Sequence, residues 1–145
     1  MRVILQRVQR GRLSIDNQIK AEIGPGLVLL VGVGKEDGPA QVEYLAKKIA
    51  HLRVFEDEAG KTNRSVLEVE GEALVVSQFT LYADTRKGRR PSFVKAALPG
   101  TASPLVDQFA ERLAGEGVPT QTGQFGARMV VEIINDGPMT IILER

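Results

Sequence analysis

The residues equipped for chemistry fall in two short stretches. The first is Ser77-Gln78-Phe79-Thr80-Leu81, which follows the apolar and mostly β-branched run Leu74-Val75-Val76. A buried strand does not carry hydroxyls and an amide unless each finds a hydrogen-bond partner. Backbone N–H groups around Gln78 and Phe79, with the Gln78 side-chain amide, could hold a developing oxyanion. Thr80 offers a hydroxyl, a weak nucleophile unless a neighbour activates it. The plainer alternative is a strand that crosses to the surface with alternate residues wetted, Thr80 being a β-former bonded to its neighbours. The second stretch is Asn135-Asp136-Gly137-Pro138-Met139-Thr140. An X-Pro bond is where a cis peptide occurs, and a cis proline turns the preceding carbonyl sharply. Glycine lets backbone come close to a ligand. Spacing alone favours a plain turn here, between strands 129–134 and 141–143.

Other chemistries are excluded by what the chain lacks. His51 is the only histidine, so a serine triad has no base. It falls on a helix beside Leu52 and reads as a surface or satisfied core histidine. With no cysteine there is no disulfide, thiolate nucleophile or zinc ribbon, which fits a reducing compartment. No Asp/Glu cluster stands at metal-ligand spacing, and neither metal nor cofactor is expected. In Gly32-Val33-Gly34-Lys35-Glu36-Asp37-Gly38 the last glycine comes one residue late for a dinucleotide loop. Gly60-Lys61-Thr62 has Phe55 where a phosphate loop needs its first glycine. No serine sits in a glycine-flanked nucleophile elbow. The N-terminal apolar segment is too short for a signal peptide, and no apolar run is long enough to span a membrane. A cytoplasmic protein is expected.

The net charge is +1, so attraction to a polyanion must come from local clustering. Arg86, Lys87, Arg89 and Arg90 provide such a cluster directly after the polar strand end, with Phe93 close by. A run of this kind is commonly a solvated loop. It can also hold phosphates without reading a base sequence.

The elements that position these residues follow from pattern. The 145 residues suit a single domain, 1–145. Val3–Val8 reads as a strand, and Leu13–Ile15 with Ile19–Ile23 as a hairpin closed by Asp16-Asn17-Gln18. The continuous apolar run Leu27–Val33 predicts a central strand buried on both faces. Val42, Leu45, Ile49 and Leu52 line one face of a helix starting near Pro39, with Asp37 as its cap. Arg53–Phe55 and Ser65–Val69 read as short extended pieces around a turn at Asp57–Lys61. Ser103-Pro104 reads as the start of a second helix with Leu105, Phe109 and Leu113 inward. Val118–Thr122, Met129–Ile134 and Ile141–Leu143 read as strands. The expected fold is α/β, a mixed and mostly antiparallel sheet flanked by two helices.

The two chemical stretches carry a resemblance. Ser77-Gln78-Phe79-Thr80-Leu81 matches the S-Q-F-T-L motif of the D-aminoacyl-tRNA deacylases, also called D-tyrosyl-tRNA deacylases. Asn135-Asp136-Gly137-Pro138-Met139-Thr140 matches their N-x-G-P-x-T motif. Gln6-Arg7-Val8, Arg90-Pro91-Ser92-Phe93 and Thr120-Gln121-Thr122-Gly123 with Phe125 resemble the same family. The resemblance implies that family's fold and a hydrolase that cuts the ester between a D-amino acid and the terminal adenosine of tRNA. It implies removal of mischarged glycine and a homodimer. It also implies a cis Gly137–Pro138 bond inserted into the partner subunit's site. Arg7 then fixes that element, Ser77 to Leu81 form the pocket floor with Ser77, Gln78, Phe79 and Thr80 as the catalytic set, and Phe125 lies near the adenine. The basic cluster would contact tRNA.

Such a site has a simple physical basis. D- and L-isomers differ in where hydrogen and side chain point at the α-carbon. Rigid backbone carbonyls in the place an L side chain needs would exclude it by overlap, and no rotamer change relieves that clash. Two mechanisms compete: Thr80 as nucleophile through an acyl-enzyme, or the tRNA 2′-hydroxyl assisting a water while the protein supplies position and oxyanion donors. The second is preferred, because nothing in the sequence is a base for Thr80. The rival functions are a non-catalytic dimeric RNA-binding module and a small-ester hydrolase using Thr80.

Overall fold

The computed structural model describes residues 1–145. Its spine is β1 (Arg2–Ile15), one continuous strand where the pattern suggested two pieces. Register shifts near Val8 and at Leu13/Ser14 let the strand bend without ending. The expected hairpin forms. Ile15 pairs with Gln18, and Asp16 and Asn17 adopt φ of 49° and 61°, the left-handed values of a two-residue turn. β2 (Gln18–Ile23) returns along the second half of β1, and β3 (Gly26–Gly32) runs antiparallel along its first half. β4 (Phe55–Glu56) and β5 (Thr62–Arg64) form a small separate sheet around Asp57–Lys61. β6 (Glu72–Ser77) is parallel to β3, and β7 (Thr120–Thr122) is parallel to β6. β8 (Val130–Glu144) takes the other edge of β1. The order is therefore β2-β1-β3-β6-β7 with β8 added on β1, a mixed sheet in which every pairing of β1 is antiparallel.

Two helices, α1 (Pro39–Ala50) and α2 (Pro99–Gly115), pack against one face of that sheet. The faces read from periodicity are the buried ones except at Leu52, which lies past the end of α1 and is half-buried: Val42, Leu45 and Ile49 from α1, and Leu105, Phe109 and Leu113 from α2, join Val3, Leu5, Leu29, Val31 and Val75. Phe109 is wholly buried, and truncating such a ring costs about 3–5 kcal/mol. A smaller cluster around Val8, Leu13, Ile23, Val28, Leu74 and Val76 fills the other face. β3 is thus covered on both sides, as its unbroken apolar run requires.

α1 starts at Pro39 as expected but with a different cap, and α2 starts earlier than expected. α1 is capped by Gly38, whose N–H donates to the Gln41 side chain at 3.0 Å. Asp37 turns inward instead, where charged and polar donors outbid the helix end. α2 begins at Pro99, because the Leu98 carbonyl already accepts from the N–H groups of Thr101 and Ala102. Pro104 lies inside the helix and withholds a bond only from the exposed Gly100 carbonyl. Ser65–Val69 is not extended; it is a run of turns in which Glu68 accepts from the Ser65 N–H at 2.6 Å and hydroxyl at 2.7 Å.

Candidate active site

β6 delivers the first motif to the top of the sheet and stops there. Ser77 is its last residue, Gln78 leaves with φ −144° and ψ 79°, and Phe79–Tyr82 wind into a 3-10 helix. The expected strand past Ser77 is therefore absent. The Gln78 N–H donates to the Val31 carbonyl at 2.7 Å, so the sheet consumes it and it is no oxyanion donor. The free donors at this point are the N–H groups of Phe79 and Thr80, the first of the 3-10 helix, which have no partner upstream. The Gln78 amide donates to the Thr80 hydroxyl oxygen.

The 3-10 helix is clamped from below. Arg2 donates to the Leu81 carbonyl and lies 5.1 Å from the centre of the Tyr82 ring. The Tyr82 hydroxyl donates to Asp37 at 3.1 Å, and Asp37 also accepts from the Gly34 N–H and pairs with the Met1 ammonium. Burial and then the Asp37 charge push the Tyr82 phenol up to about 12. Gly34 makes room for this ring, since a Cβ there would lie 2.8 Å from the Tyr82 oxygen.

Beside the motif lies a cleft of about 560 Å³. Ser77, Gln78 and Phe79 stand on its rim, and Phe125 lines it from the β7–β8 loop. Thr80 does not line it and is exposed. The rest of the wall is apolar, including Ala97 and Leu98 just before α2, Ala102 and Val106 within it, and Met129. Sequence reasoning missed these, because small and apolar residues on a helix face look like ordinary core. No signal in the sequence marks them; in the structure Leu98 stands out as a leucine left 76% exposed. The segment before α2 is stitched to the end of β3 by an Ala97 N–H bond to the Val33 carbonyl at 2.9 Å. Phe93 meets Phe79 edge-on, with ring centres 5.0 Å apart.

The basic cluster is a loop closed at its base, where Asp84 and Ser92 exchange backbone bonds of 2.7 and 2.9 Å. Arg86 folds back on Asp84, Nε to Oδ1 at 2.9 Å, and holds that carboxyl well below its usual range. Arg86 is thereby largely neutralised, while Lys87, Arg89 and Arg90 are exposed without an ion-pair partner.

The second motif is not a reverse turn. β8 pairs with β1 on both sides of it, Asn135 with Val8 and Thr140 with Gln6, so residues 136–139 form a bulge opposite Arg7. The Gly137–Pro138 bond is cis, and Gly137 has φ +113°. A Cβ on Gly137 would also lie 2.9 Å from Arg7 Nη2. Arg7 is buried at 5% exposure, and its Nη1 donates to the Val54 carbonyl at 2.7 Å. Its Nε lies 2.9 Å from Asp136 Oδ2, an ion pair too bent for a hydrogen bond. Thr140 Oγ1 accepts from Asn135 Nδ2 at 3.2 Å and from Gln6 Nε2 at 3.4 Å. Gly137 and Pro138 are exposed and do not line the cleft of their own chain.

The family model described as D-Tyr-tRNA(Tyr) deacylase matches residues 4–144. The chain belongs to this family. A D-aminoacyl-tRNA deacylase of Thermomicrobium roseum is 61% identical over 99% of the chain and 94% of that relative. One of Heliobacterium modesticaldum is 59% identical over 99% of the chain and 96% of the relative. Among solved structures, a c-Myc DNA unwinding element binding protein superposes with a TM-score of 0.93 at 39% identity, covering 100% of this chain and 99% of that one. A probable eukaryotic D-amino acid tRNA deacylase superposes with a TM-score of 0.85, covering 98% of this chain and 97% of that one. At 20% identity the latter speaks for the fold alone.

Proposed function

We propose that this chain hydrolyses the ester of D-aminoacyl-tRNA as a homodimer, each protomer lending its Gly137–Pro138 bulge to the cleft of the other. The observation that carries the reading is the separation within one chain. A cleft rimmed by Ser77, Gln78 and Phe79 stands open, and a rigid, solvent-facing Gly-Pro bulge points elsewhere. The free edge of β8, with exposed Val130, Ile134 and Ile142, supports a second copy as the partner.

In the joined site, the bulge carbonyls occupy the place an L side chain needs. A D-residue offers hydrogen or amine there, and its side chain points outward. Glycine has nothing to exclude, so glycyl-tRNA is also cleaved. Phe125 and the apolar wall take the terminal adenine. The N–H groups of Phe79 and Thr80 receive the oxyanion. The nucleophile is a water assisted by the tRNA 2′-hydroxyl. Thr80 accepts a bond from Gln78 and has no base beside it, which argues against an acyl-enzyme. Arg7 sets the bulge, and Lys87, Arg89 and Arg90 contact phosphates. This work belongs in the cytoplasm, where tRNA is charged.

A non-catalytic nucleic-acid binder is the second reading, and the likeness at 39% identity to a c-Myc DNA unwinding element binding protein speaks for it. An apolar cleft has no use in holding phosphates, which favours the enzyme. Incubation with D- and L-tyrosyl-tRNA and with a free D-tyrosine ester separates the readings. The deacylase cleaves the D-charged tRNA only. A binder cleaves nothing, and a small-ester hydrolase prefers the free ester.

A further inference from the structure

A second cationic surface lies away from the basic loop. Lys47, Lys48, His51 and Arg53 line a shallow groove of about 570 Å³ at the end of α1, with Leu52 its one apolar member. His51 sits 3.2 Å from Glu116, and Arg53 donates to Asn63 at 3.2 Å. Lys47 and Lys48 are exposed and make no ion pair. Lysines in a last helical turn complement the helix dipole. That accounts for their sign, and not for Arg53 beyond the helix end.

The place of the groove is what matters. Arg53 directly precedes Val54, whose carbonyl holds Arg7, and Arg7 holds the Gly137 bulge. Groove and bulge are therefore tied to each other through one buried guanidinium. Resting on the cross-subunit reading above, a bulge that enters a partner's cleft carries this groove to the mouth of that cleft. We propose that Lys47, Lys48 and Arg53 hold the phosphodiester backbone of the tRNA whose charged end occupies the partner's cleft. Each substrate is then gripped by two protomers, by the basic loop of one and the α1 groove of the other. A shallow surface of flexible cations with no Phe, Tyr or Trp reads phosphate and not bases. Its contribution is the same for every tRNA.

The test is the double variant Lys47→Gln/Lys48→Gln, assayed on D-tyrosyl-tRNA and on D-tyrosyl-adenosine, which has the ester and the base but no stem. KM for the tRNA rises about tenfold with kcat unchanged, and log(kcat/KM) falls less steeply with log salt by about 1–2. Kinetics on D-tyrosyl-adenosine do not move, and Lys47→Arg/Lys48→Arg restores the tRNA values. An unchanged tRNA KM, or equal losses on both substrates, overturns the groove. Wild-type protein that cleaves neither D-substrate overturns the deacylase reading beneath it. Mixed dimers test the trans assignment, using Ala102→Trp to fill one cleft. KM rises when the lysine changes lie on the filled protomer and stays normal when they lie on the open one. The reverse result overturns it.

Discussion

At the scale of single residues, the site is decided by which donors and acceptors are already engaged. The Gln78 backbone N–H belongs to the sheet, and one N–H of its side-chain amide is given to Thr80. On the proposed mechanism Thr80 is not the nucleophile. Thr80→Ala is expected to retain kcat within about tenfold, where a group that moves the reacting proton contributes about 10²–10⁴-fold. Trapping a covalent acyl-Thr80 would defeat this. Tyr82 gives a pH prediction. Its folded phenol is raised from 10 to about 12, so the stability it confers is complete below pH 10. That contribution is lost as pH rises through 12, because the unfolded phenol ionises first. Denaturant midpoints at pH 9 and 11 should fall in the wild type, and the fall should shrink in Tyr82→Phe.

At the scale of elements, the proposed specificity device is the bulge in β8. Its shape depends on Gly137 at φ +113° and on the Arg7 guanidinium packed against it. Gly137→Ala places a Cβ in a left-handed backbone and against Arg7, which costs about 1 kcal/mol or more locally. The rest of the β1–β8 ladder still pairs, so the protein should fold. The ratio of kcat/KM for D- over L-tyrosyl-tRNA is expected to drop at least tenfold; a variant that still spares the L-form would show that the carbonyls are not the gate. The 3-10 helix is the companion element, held in place by Arg2 and Tyr82.

At the scale of the whole molecule, the cleft and the bulge lie apart on one chain, and the proposed exchange between two copies would bring them together. β8 presents a long unpaired edge, and Ile142 on it is 66% exposed. Ile142→Lys is expected to shift the protein from dimer to monomer in light scattering. Deacylation should fall with the dimer fraction, since a lone cleft lacks the bulge. A fully active and D-selective monomer would refute the exchange. No helix is long and apolar enough to cross a membrane.

From the amino-acid order alone, the buried β3, the inward faces of both helices, the Asp16-Asn17 turn and the two motifs were legible. Each depends on residues a few positions apart, through periodicity or local backbone preference. What stayed hidden depends on partners distant along the chain. The Gln78 N–H finds Val31, Asp37 leaves its helix for Tyr82, and Arg7 joins Val54 to Gly137. Whether 135–140 is a turn or a bulge was settled by β1 pairing with β8 on both sides of it. A local pattern states which face is apolar; which hydrogen-bond partner a polar group takes is decided by the strand or helix that packs beside it.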